Sequence, residues 1–70
     1  MRCQITVYYR ANGYQRTVDR IGDYASLAGA KRAAMRMIEV YRMDTAYIHT
    51  DDGRTFFRVA GEKLWRQDNG

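Results

Sequence analysis

Apolar and polar positions alternate over residues 3–10. Cys3, Ile5, Val7 and Tyr9 fall on one side, and Gln4, Thr6, Tyr8 and Arg10 on the other. Period two with β-branched and aromatic residues predicts a half-buried strand. Asn12-Gly13 follows, and both central residues of a type I′ turn need positive φ, which these two supply most readily. That turn sets Ala11 opposite Tyr14 and Val7 opposite Val18. It predicts a second strand over 14–21, with Val18 inward and Gln15, Thr17 and Asp19 facing solvent. The two alternations agree on one register.

From Ser26 the period changes. Ser26 is a good N-cap. Leu27, Ala30, Ala34, Met37, Ile38 and Tyr41 then recur at helical spacing, while Lys31, Arg32, Met35, Arg36, Glu39 and Arg42 cover the opposite side. This predicts an amphipathic helix over 27–43. Its alanines allow a close approach to a sheet. Alternation returns over 45–50, with Ala46 and Ile48 inward and Tyr47 and His49 outward. Asp52-Gly53 reads as a second type I′ turn. It would pair Ile48 with Phe57 and Ala46 with Val59, leaving Phe56 and Arg58 on the side of Tyr47 and His49. A type II′ turn at Gly61-Glu62 would set Leu64 beside Val59 and Trp65 beside Arg58.

The predicted order is ββαββ(β). This is an α+β fold in which an antiparallel four- to five-stranded sheet carries one helix on one face. Residues 1–66 form a single domain and 67–70 a loose tail. The chain has 70 residues and no proline to break a strand. A domain of this length buries only about 60% of the surface of its unfolded chain. Binding on an open surface therefore suits it better than a deep active site.

One helix cannot cover both faces of a sheet. On this reading the bare face carries Tyr47, His49, Phe56, Arg58 and Trp65, and a patch of that kind on a small protein marks an interaction site. A second surface is the basic helix stripe of Lys31, Arg32, Arg36 and Arg42, broken by Glu39, of which Lys31, Arg32 and Arg36 are the candidate contacts. The formal charge of +4 comes from 12 basic against 8 acidic residues, and most of the bases are arginine. Arginine suits bidentate contact with phosphate or carboxylate. The bland alternatives are cross-strand ring packing, a solvated helix face, or a homodimer.

The chain lacks the parts for other chemistry. One cysteine and one histidine cannot build a Cys/His zinc site. Neither Gly-rich phosphate motif occurs. His49 has no nucleophile within sequence reach, and Asp51-Asp52-Gly53 is not followed by calcium-loop spacing. No cofactor and no enzymatic activity are expected. No apolar run reaches the ~20 residues that span a bilayer, and the N-terminus has no signal-peptide apolar region. A cytoplasmic protein without membrane partners is the expectation.

Ser26-Leu27, Ala30-Lys31-Arg32 and Ala34, followed by Ile48 and Asp52-Gly53-Arg54, form a pattern over residues 26–65 that resembles several small phage-encoded anti-CRISPR proteins in size, element order and the Ala-Lys-Arg helix. The resemblance implies a protein partner, a Cas effector complex, whose nucleic-acid binding is blocked or diverted. Direct binding of nucleic acid by an open aromatic and arginine sheet face is the alternative.

Overall fold

In the computed structural model, which describes residues 1–68, Asn12 and Gly13 take φ of 54° and 79°. The tight turn they make joins β1 (Arg2–Ala11) to β2 (Tyr14–Asp23). Ala11 pairs with Tyr14 and Val7 with Val18, as the alternation requires, and the ladder runs unbroken to Arg2 opposite Asp23. The second strand thus extends two residues past its expected end.

Helix α1 spans Leu27–Tyr41. Ser26 caps it by accepting from the Gly29 amide at 3.2 Å, which satisfies one of the orphan donors of the first turn. The helix stops two residues before the amphipathic pattern does. Arg42 adopts the left-handed conformation, at φ 57° and ψ 49°, and its amide donates to Ile38 O. The Met43 amide donates to the same carbonyl at 2.9 Å. This Schellman-type closure turns the chain so that Met43 drops into the core.

The remaining strands are β3 (Thr45–Thr50), β4 (Thr55–Arg58) and β5 (Arg66–Asp68). The sheet order is β2-β1-β3-β4-β5, and every pairing is antiparallel. This is the expected α+β architecture with five strands. The helix lies over β1 and β3. Cys3, Ile5, Val7, Ala46 and Ile48 from the sheet meet Ala30, Ala34 and Met37 from the helix. The alanines bring the helix close enough to seal the strand side chains completely, as the sequence suggests. Cys3 is a buried hydrophobe, and burial raises its thiol pKa.

Two expectations fail downstream. The first is the register of β3 with β4. Ile48 pairs with Phe56 and Tyr47 with Phe57, one residue away from the predicted pairs. The turn at Asp52-Gly53 is not type I′. Gly53 N donates to Thr50 O at 3.1 Å, and Thr50 N donates to Arg54 O at 2.9 Å. Among Asp51, Asp52 and Gly53 only Gly53 has positive φ, at 87°. This is a three-residue loop ending in a left-handed glycine. It requires one residue in the left-handed region where type I′ requires two. Asp52 braces it, accepting from the Thr50 hydroxyl and from Arg54 Nε. A slip of one residue exchanges the two faces of a strand. Phe56 and Arg58 therefore face the helix, and Phe57 takes the open side.

The second is the C-terminal boundary. Gln67 and Asp68 pair with Phe56 and Thr55 in β5 rather than trailing free, while Asn69 and Gly70 of the expected tail lie outside the described residues. The turn before β5 also differs. Glu62 N donates to Val59 O at 3.0 Å, with Gly61 at φ 82° in the third position that type II reserves for glycine. Pairing begins only at Arg66 opposite Phe57, in the frame that would place Trp65 beside Arg58.

Candidate binding surfaces

The side chains expected on one bare face are divided between two. Tyr47 and His49 stay on the open face. Phe56, Arg58 and Trp65 move to the helix side, where they join Lys31, Arg32 and Arg36.

On the helix side Phe56 is 6% exposed and belongs to the core. Lys31 holds its Nζ 5.4 Å from the centre of that ring and 5.9 Å from the centre of Trp65. Arg54 covers Phe56 as well, with Cζ at 5.4 Å. Phe56 is therefore a support for cations and not itself a contact. Arg58 is half-buried and structural. Its Nε donates to Glu62 O at 2.7 Å, and a second guanidinium nitrogen meets Met35 Sδ. These bonds tie the Val59–Glu62 turn to the helix. Trp65 is half-buried against the core and closes one wall of an open groove of about 370 Å³ shared with Lys31, Arg32, Met35, Arg36 and Glu39.

Charge on the helix side is unequally satisfied. Arg54, which covers Phe56, is paired with Asp52 at 2.8 Å. Arg32 and Arg36 are exposed and have neither an ion pair nor a hydrogen bond among the described residues. They are one helical turn apart, so their like charges repel. The groove thus presents two uncommitted guanidiniums beside an ammonium fixed over rings.

The open face carries a row of rings across three strands. Tyr8 of β1 lies 5.9 Å from Tyr47 of β3 with the planes 14° apart. Tyr47 lies 5.8 Å from Phe57 of β4 at 27°, and His49 stacks beside Tyr47 at 6.3 Å. Hydrogen bonding with Tyr8 and then burial raise the Tyr47 phenol above its usual range. His49 Nδ1 is 3.1 Å from the Thr55 hydroxyl. Two cations at the margins are engaged, Arg10 donating to Gln15 at 2.9 Å and Arg66 pairing with Glu62, while the Arg2 side chain beside His49 has no ion pair or hydrogen bond among the described residues.

Tyr8 and Phe57 belong to this face although the sequence did not single them out. The alternation of β1 did turn Tyr8 outward. Its value appears only once β1 and β3 are neighbours. Phe57 was missed because of the register slip. Among the described residues no three His, Cys, Asp or Glu side chains gather as a metal site, and no helix is long and apolar enough to cross a membrane. No family model, curated protein or solved structure matches the chain.

Proposed function

We propose that this chain is a non-enzymatic binding protein whose helix-side groove docks on an acidic surface of a larger complex. What supports the reading is the state of Arg32 and Arg36: exposed, one turn apart, and without an ion pair or hydrogen bond among the described residues. Their mutual repulsion works against the isolated helix and is relieved when carboxylates or phosphates arrive. Lys31, held over Phe56 and Trp65, supplies a third cation with little freedom left to lose. Pre-ordered groups of this kind reduce the entropy lost on binding.

In the narrower form that the anti-CRISPR resemblance implies, the complex is a Cas effector, and the protein blocks or diverts its nucleic-acid binding. A cytoplasmic location goes with that role. The test is a CRISPR interference assay with the chain co-expressed, alongside binding to purified effector complexes. Wild type should restore plaque formation and bind, and Arg32→Glu/Arg36→Glu should do neither. Equal binding by wild type and the double variant removes the groove from the account. Absence of any effect across effector types removes the inhibitor reading.

The Tyr8–Tyr47–Phe57 row favours a second reading, in which bases of a single strand stack on the sheet. Such binding also needs cations around the rings; Arg10 and Arg66 are already engaged, which leaves Arg2 at the His49 end of the row. Anisotropy of a labelled oligonucleotide at rising salt tests it. Phosphate binding should fall steeply with salt, and Tyr47→Ala should abolish it.

A further inference from the structure

Strand β2 has ten residues, and only Val18 and Gly22 are partly sheltered. It forms one edge of the sheet, and the helix covers β1 and β3 rather than β2. Its backbone bonds can be placed. Met1 and Tyr24 exchange both bonds, Tyr24 N to Met1 O at 2.7 Å and Met1 N to Tyr24 O at 3.0 Å. In an antiparallel ladder every second pair does the same. The bonded residues of β2 are therefore Tyr14, Arg16, Val18, Arg20 and Gly22. The amides and carbonyls of Gln15, Thr17, Asp19, Ile21 and Asp23 point away from β1 into solvent.

Natural sheets protect such an edge with proline, charged side chains, a bulge or a short strand. β2 has no proline and runs ten residues without a bulge, and its central acid, Asp19, is engaged by the Thr6 hydroxyl. Its register with β1 is constant over all its residues. Arg16 and Arg20, which could guard it, turn to the helix instead and bond the Tyr41 carbonyl and hydroxyl.

We infer that this edge pairs with the same edge of a second copy of the chain, antiparallel and centred on Thr17. Opposed residues must share a face, and this restricts the registers. Centring on Val18 sets Arg16 against Arg20. Centring on Asp19 sets that carboxylate against itself. Like charges directly opposed destabilise a ladder.

Centring on Thr17 avoids both and makes complementary pairs. Gln15 then faces Asp19. The Gln15 Oε1 is occupied by Arg10, which leaves its amide NH₂ to donate. Asp19 Oδ1 is occupied by Thr6, which leaves Oδ2 to accept. On the helix side Tyr14, 60% exposed in one chain, stands opposite Arg20, whose guanidinium is turned to Tyr41, so no like charges are opposed there. The two-fold axis is normal to the sheet, so both helices and both grooves lie on one side of a continuous sheet. The pairing is independent of the groove's proposed partner.

Sedimentation from low micromolar to millimolar concentration, with amide exchange read by NMR, tests the inference. Wild type should double its sedimenting mass as concentration rises. The amides of Gln15, Thr17 and Asp19 should slow in parallel. Thr17→Lys places ammonium groups face to face at an exposed strand position. It should remain folded by circular dichroism and stay monomeric. Thr17→Cys should cross-link to its own copy on oxidation, with Cys3 sealed in the core. A wild type that is monomeric throughout overturns the inference. So does a dimer that survives Thr17→Lys, or one lost on Tyr47→Ala with the Thr17 amide still exchanging freely, which would place the contact on the ring row.

Discussion

At the scale of single residues, the loop from Thr50 to Arg54 decides more than its size suggests. Asp52 accepts hydrogen bonds from Arg54 and then from Thr50, and they hold its carboxyl at about 2 against an ordinary 3.8. A depressed carboxylate contributes stability that is present above its unfolded value and is lost as pH falls through the folded one. Acid titration of the native protein should therefore lose stability between pH 3.8 and about 2 through this group. Asp52→Asn should flatten that part of the curve, and a curve identical to wild type would separate Asp52 from the loop. Gly53 has open space where a Cβ would stand, so Gly53→Ala tests backbone strain alone. A left-handed L-residue costs roughly 1–2 kcal/mol, and denaturant midpoints should fall accordingly. Arg42 holds the same conformation without glycine's freedom, so Arg42→Gly should raise stability by about 1 kcal/mol.

At the scale of elements, most of the fold could be read from the chain. Alternation gave the faces of β1, β2 and β3. Asn12-Gly13 gave their first register, and Ser26 gave the helix start. What resisted was the frame of β4, and Phe56-Phe57 explains why. Two adjacent phenylalanines satisfy an apolar inner position in either frame, so the hydrophobic pattern carried no information there. The choice passed to the loop, where bracing by Asp52 favours three residues over two. The contact site was less legible than the fold for the same reason, since one slip moved Phe56, Arg58 and Trp65 off the face assigned to them. The two frames make opposite statements about alanine substitution. Phe56 is 6% exposed and Phe57 is half-buried. Phe56→Ala should cost about 3–5 kcal/mol, the range for a buried ring, and Phe57→Ala clearly less. Thermal melts of the two variants decide it, and the reverse order would restore the two-residue turn.

At the scale of the whole molecule, binding and stability make opposite demands on the helix. Helix α1 has no acidic residue in its first turn, so nothing there complements the positive end of its dipole. Arg32 adds a further positive charge in its N-terminal half and repels Arg36 one turn on. Both features disfavour the free protein. Arg32→Glu reverses them: the introduced carboxylate would stand four residues before Arg36, the better orientation for a helical ion pair, and each such pair contributes about 0.2–0.5 kcal/mol. Removal of the like-charge pair adds a similar amount. For a domain of this size, 1 kcal/mol corresponds to roughly 4–8 °C in thermal midpoint, so Arg32→Glu should melt a few degrees above wild type. The same change should weaken docking through the groove, because it replaces a free guanidinium with a carboxylate facing an acidic partner. Surfaces kept for binding commonly hold charges that the isolated fold would be more stable without. A variant that melts higher and binds less would identify Arg32 as such a residue. A variant that melts higher and binds as well as wild type would leave the basic stripe an ordinary solvated face.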